Sequence, residues 1–348
     1  MTTPTGPTES TDPGRGDGAP TPTPGRMRAI VQRRYGSAEV LHLDVVDRPT
    51  IRADEVLVQV RAAGLDRGTW HLMAGLPYAA RIAIGVRTPR NPVPGLDLSG
   101  VVEEVGREVT RFRPGDEVFG IGRGSFAEYA AAKEEKLSSR PAALSFEQAA
   151  AVPVSGLTAL QGLCDVGHLQ AGQRVLVLGA SGGVGTHAVQ IARALGAEVT
   201  GVCSTAKMDL VRSLGADRVI DYTEQDFSED AGRYDLILDM GGNPSLSRLR
   251  RALAPAGTLV IGGGEGGGRL TGGLERQLGA VLLSPFVRQR LTMLVAKEHH
   301  AGLDRLAELA ADGRLVPAVE RTYPLAEVPT AMRRLESGQV RGKLVITL

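Results

Sequence analysis

Between the apolar run Val175 to Leu178 and an amphipathic segment reaching Leu195 stands the heptapeptide Gly179-Ala180-Ser181-Gly182-Gly183-Val184-Gly185. A strand that turns through glycines straight into a helix leaves bare N–H groups at the helix N-terminus, with no Cβ to hold a diphosphate away. Ala180, Gly182 and Gly185 take the three spacings of the dinucleotide turn, with Ala180 standing where a first glycine is usual. The text then alternates: RVLVLG, EVTGVC, RVIDY, YDLILDM and GTLVIGG read as strands, separated by helical stretches such as KMDLVRSLG and LSRLRRALAP. That alternation predicts an α/β fold with a doubly wound parallel sheet. The heptapeptide also spells G-x-S-x-G around Ser181, the nucleophile elbow of a hydrolase, with Asp239 and His299 as nominal partners. A hydrolase sets several strands before its elbow, whereas this strand is the first of its sheet.

The preceding text has another rhythm. From Met27 to Ala149, short runs such as EVLVQVRAAGL, GLDLSGVVEEVG and RPGDEVFGIG are each closed by Gly or Pro-Gly, the pattern of a small β-barrel. Residues 1–26, rich in Thr, Pro and Gly and almost without aliphatic side chains, read as a disordered tail, with Met27 a candidate initiator. The expected domains are therefore 27–149 completed by 296–348, and 150–295. Forty basic against 39 acidic residues, a net charge of +1, give no drive toward nucleic acid or an anionic membrane. Cys164 and Cys203 cannot form a four-thiolate metal site, and they suit a reducing, cytoplasmic setting. The uncharged run Gln148 to Cys164 is shorter than the roughly 20 apolar residues of a membrane span.

The second strand of the parallel sheet selects the dinucleotide. NAD-specific sites end that strand on a carboxylate for the ribose hydroxyls, but here it ends Cys203-Ser204-Thr205-Ala206-Lys207. A hydroxyl at Ser204 and a cation at Lys207 suit a 2′-phosphate, so NADP(H) is the expected cofactor. Tyr222, closing the third strand, is a candidate to flank the adenosine. Cofactor contacts are thus assigned to Ser181, Gly182, Gly183, Val184, Gly185, Ser204, Lys207 and Tyr222.

GASGGVG, LGADRVIDY, RPGDEVFG, GLTAL and RGKLVI together resemble the medium-chain dehydrogenase/reductase superfamily, nearest its zinc-free quinone oxidoreductase branch, from Met27 to Leu348. The resemblance implies a GroES-like barrel, a Rossmann domain and a cleft between them. Zinc members place three ligands where this sequence has Asp66, Leu96 and about Ala151, and two apolar residues cannot ligate, so no metal is expected. Without a Lewis acid, alcohol oxidation loses its electrophilic help, and conjugated acceptors are favoured. The branch implies NADPH-dependent hydride transfer to quinones or α,β-unsaturated carbonyls. Asp66 stands where relatives typically carry Asn. With Trp70, His71 and Thr158 it makes up the expected substrate pocket, and Gly262 to Gly268 is a candidate cover over the cofactor. Zinc-free alcohol dehydrogenation and nucleotide sensing with little turnover are the alternatives. A small-molecule substrate is expected, with a homodimer as an option.

Overall fold

The computed structural model describes residues 23–263 and 268–348; most of the expected tail and the middle of the Gly262 to Gly268 segment lie outside the described residues. The first strand, β1 (Arg26–Val31), begins one residue before Met27 and pairs antiparallel with β2 (His42–Asp47).

The barrel half follows as β3 (Glu55–Leu65), α1 (Arg67–Ala74), α2 (Arg81–Ile84), β4 (Asp97–Val105), β5 (Glu117–Ile121), β6 (Tyr129–Lys133) and β7 (Leu137–Ser139). Val56, Val58 and Val60 alternate along β3 and pack inward on Leu98, Val118, Leu344 and Ile346. Each such side chain contributes about 1.5 to 3 kcal/mol on burial. The late strands β14 (Val319–Pro324) and β15 (Lys343–Thr347) return to this half, because β15 pairs antiparallel with β3. The seven-stranded sheet runs β14-β15-β3-β4-β5-β7, with β6 paired to β3.

Short helices α3 (Phe146–Ala150) and α4 (Pro153–Leu160) lead into the second half. There β8 (Arg174–Leu178), α5 (Gly183–Ala194), β9 (Glu198–Cys203), α6 (Met208–Ser213), β10 (Arg218–Asp221), β11 (Tyr234–Asp239), α7 (Leu246–Ala252), β12 (Leu253–Ile261), α8 (Leu274–Leu283) and β13 (Arg290–Met293) alternate as the sequence predicts. All pairings are parallel, in the order β10-β9-β8-β11-β12-β13. Both faces are covered: Val175 and Val177 point to a core shared with α4, α5 and α9 (His300–Ala311), whereas Leu176 and Leu178 point to one shared with α7 and α8. The helix α10 (Val328–Glu336) packs back on the barrel.

Two contacts tie the halves together at the glycine turn. Gly182 and Gly342 form a parallel bridge in which Gly342 N–H donates to Ser181 O at 2.8 Å. The Lys207 ammonium donates to Gly338 O and Val340 O, both at 2.9 Å.

Candidate active site

Strand order reverses between β8 and β11, whose C-terminal ends leave a crevice. A cleft of about 600 Å³ opens there, between the turn after β8, the Met240–Asn243 loop after β11 and the barrel residues of α1 and β15.

Its floor is the glycine turn. Gly179 has φ +78°, a left-handed backbone that a side chain would strain. A Cβ on Gly185 would lie 2.1 Å from Gly179 O, so only glycine lets α5 start so close to the strand. No side chain caps α5 at Gly182, which leaves its first N–H groups for a ligand. A Cβ on Gly182 would meet only Gly179 O, at 3.4 Å, and would project into otherwise open space. Ser181, Gly182, Gly183, Val184 and Gly185 all line the cleft. A dinucleotide diphosphate fits this turn.

Lys207 and Tyr222 reach the same cleft, the latter well exposed. The Lys207 ammonium is half-buried on the Gly338 and Val340 carbonyls, and burial holds its pKa below the usual lysine value. Ser204 is the N-terminal flanking residue of the turn Thr205–Lys207 and stands back from the cleft lining.

The barrel wall differs in part from expectation. Asp66 lines the cleft, but it is buried and caps α1, where Oδ1 accepts from Thr69 N–H at 2.8 Å. His71 also lines it and sits 2.9 Å from Leu76 O through Nδ1. Thr158 lines it with its hydroxyl donated to Val154 O at 2.6 Å. Trp70 is a correction: its indole packs on the barrel core and donates Nε1–H to Glu336 at 3.0 Å, away from the cleft lining. Neighbours in a helix are turned about 100° apart, so His71 and Trp70 cannot share a direction.

A buried ionic cluster, absent from the sequence expectations, lies behind this wall. Lys343 Nζ is 3.0 Å from Asp97 Oδ2, 3.2 Å from Ser155 Oγ and 3.7 Å from Asp66 Oδ2. Asp97 Oδ1 also accepts from Val154 N–H at 2.9 Å. Burial pushes the Asp97 carboxyl up to about 7, against the pull of Lys343. For Lys343 burial opposes the charge, yet the carboxylates of Asp97 and Asp66 outweigh it and hold the ammonium above its ordinary value. The signal was a lysine opening the apolar strand KLVIT and an aspartate opening DLSGVV; neither reads as a surface charge.

The hydrolase triad does not assemble. Asp239 is held by Gly241 N–H, Gly242 N–H and the Arg276 guanidinium, while His299 caps α9. Zinc fares no better on donor chemistry: Leu96 and Ala151 offer no ligand, and Asp66 already faces an ammonium. Among the described residues, no group of three or more His, Cys, Asp or Glu side chains could hold a metal ion.

A doubly wound nucleotide half joined through its glycine turn to a barrel half defines a dinucleotide-linked oxidoreductase. Family models agree: the alcohol dehydrogenase GroES-like domain matches residues 52–142, and the model described as zinc-binding dehydrogenase matches residues 214–346. The mouse mitochondrial NAD(P)H oxidoreductase RTN4IP1 is 35% identical over 359 residues, covering 92% of this chain and 89% of its own. A 2-methylene-furan-3-one reductase of Solanum lycopersicum is 32% identical, covering 93% and 79%. The solved quinone oxidoreductase of Coxiella burnetii superposes with a TM-score of 0.81 at 28% identity, covering 93% and 99%. The chain belongs to the medium-chain dehydrogenase/reductase family, of the quinone oxidoreductase type. It is an oxidoreductase that uses a nicotinamide cofactor on small molecules. Among the described residues, no helix is long and apolar enough to cross a membrane.

Proposed function

We propose that the protein is an NADPH-dependent, metal-free reductase that passes hydride to a quinone or an α,β-unsaturated carbonyl. The carrying observation is the buried ammonium of Lys343 beside Asp66 on the barrel side of the cleft, together with leucine and alanine at the sequence positions of two metal ligands. Such a wall gives an alcohol no Lewis acid, whereas a conjugated acceptor spreads the charge that hydride addition creates over its π system. A bound reduced nicotinamide would supply the hydride. The turn at Ser181 to Gly185 would hold the diphosphate, with residues 150–295 as the cofactor domain and the barrel half as the substrate domain. Preference for the phosphorylated cofactor is supported by the missing carboxylate after β9 and by Lys207 and Tyr222 on the cleft. The tomato relative's name, a reductase of a methylene group conjugated to a ring ketone, points to the same acceptor chemistry.

The test is NADPH consumption, followed by absorbance, against menadione, methyl vinyl ketone and related acceptors, alongside secondary alcohols with NADP+. Turnover on at least one conjugated acceptor, unchanged by a chelator, is expected. Turnover on alcohols alone would assign alcohol dehydrogenation instead, and cofactor binding with no turnover would assign a sensor.

A further inference from the structure

We propose that Ser155, backed by Lys343 and Asp97, delivers the proton that completes each hydride transfer. This rests on the reductase reading above, since only an acceptor left anionic by hydride needs that proton. The three groups form a polar chain from the barrel interior to the cleft. Asp97 Oδ2 lies 3.0 Å from Lys343 Nζ, which donates onward to Ser155 Oγ at 3.2 Å. Ser155 is 2% exposed and lines the cleft, and its own O–H finds no acceptor among the described residues. A buried hydroxyl with an uncommitted proton on a cleft wall requires a reason. Thr158, one helical turn away, has already donated its proton to Val154 O. Gly183 keeps the route uncovered, for a Cβ there would stand 3.1 Å from Ser155 Oγ and 3.0 Å from Lys343 Cδ.

Charge counting makes the cluster a proton store. One ammonium, Lys343, faces two carboxylates: Asp97 from β4 and Asp66 from the start of α1. Among the described residues, the other groups set against Lys343 add no charge: α4 contributes the Ser155 hydroxyl, and α5 contributes His187, kept neutral because burial lowers its pKa to about 4. One negative charge is therefore in excess in a buried site, and the Asp97 carboxyl takes up a proton near neutrality.

The step balances. Hydride addition reduces the acceptor by two electrons and leaves an oxyanion or enolate on it. The Ser155 O–H bond breaks as its proton passes to that anion, and Ser155 Oγ takes a proton from Lys343. The resulting amine is restored from the Asp97 carboxyl, and water recharges the cluster after product leaves. One proton is consumed per hydride.

With menadione and saturating NADPH, Ser155→Ala should lower kcat about 100-fold. Its Kd for NADPH should stay within about 3-fold, and Ser155→Thr, which restores the hydroxyl, should recover most of the rate. A second readout needs no turnover. At pH 7 the positive ring of NADP+, set near the cluster, should drive off about half a proton more than NADPH does, as counted by calorimetry in two buffers of different ionisation enthalpy. Asp97→Asn should abolish that difference. Turnover of Ser155→Ala within about 3-fold of wild type, or an unchanged proton count in Asp97→Asn, overturns the proposal. If wild type consumes NADPH with none of the conjugated acceptors, the reductase reading falls, and the proton count alone decides whether the cluster stores a proton.

Discussion

The two walls of the cleft are built in opposite ways. The glycine turn is local: seven consecutive residues, an apolar strand before them and a helix after them make a phosphate cradle with little help from elsewhere. The facing wall is assembled from distance. Asp66, Asp97, Ser155 and Lys343 come from α1, β4, α4 and β15, and none touches another until the barrel has closed and β15 has paired with β3. A local wall tolerates changes elsewhere but fails on a single extra methyl, whereas an assembled wall depends on charge balance. Each can therefore be broken by a different kind of substitution.

The largest effect is expected on the local wall. Gly185→Ala would bring a Cβ within 2.1 Å of Gly179 O and 2.6 Å of Ala180 Cα, backbone atoms that cannot swing aside. Displacing the turn by about 1 Å should weaken NADPH binding about 100-fold or more and cost about 1 to 3 kcal/mol of stability. Gly182→Ala sharpens the contrast, because its Cβ faces open space: the melting temperature should hold while NADPH binding still falls. Cofactor titration and thermal melts on both variants make the comparison, and equal losses of stability would contradict it.

The second effect concerns His187, which joins the two walls. Its Nδ1 donates to Gly183 O at 2.7 Å, its buried Nε2 has no hydrogen-bond partner among the described residues, and burial lowers its pKa from 6.5 to about 4. Between those values the unfolded chain binds the proton and the folded chain does not, so stability falls as pH falls through that window. The loss should be on the order of 3 kcal/mol. Urea unfolding of wild type and His187→Gln from pH 6.5 down to 4 reads it directly: the variant should lack this slope, and parallel curves would contradict the assignment.

How much of this was legible in the sequence follows from the same contrast. The cradle, the parallel strands and the barrel text could be read because each is encoded by neighbours and by periods of two or 3.6 residues. The ionic cluster could not, since its members are far apart in the chain and each, taken singly, resembles an ordinary strand or helix residue. Asp66 is expected in the substrate pocket, and only the folded barrel shows it buried beside Lys343. Trp70 was placed in the pocket through its neighbour His71, and helical rotation sent it to Glu336 instead.

Lys207 gives the smaller, cofactor-specific effect. Its ammonium already donates to the Gly338 and Val340 carbonyls, which leaves one N–H for a 2′-phosphate and limits the gain. Lys207→Ala should weaken NADPH binding about 10-fold and spare NADH, less so at high salt. An unchanged ratio of kcat/KM for the two cofactors would place the phosphate elsewhere.

The proposed reductase passes hydride directly across the cleft without a metal. Protein treated with a chelator is mixed with NADPH carrying deuterium at the transferable position of nicotinamide C4 and with methyl vinyl ketone, and the product is weighed by mass spectrometry. One deuterium per reduced molecule, on the carbon β to the carbonyl, is the predicted result. Product without the label, or transfer that appears only on adding zinc, would contradict it.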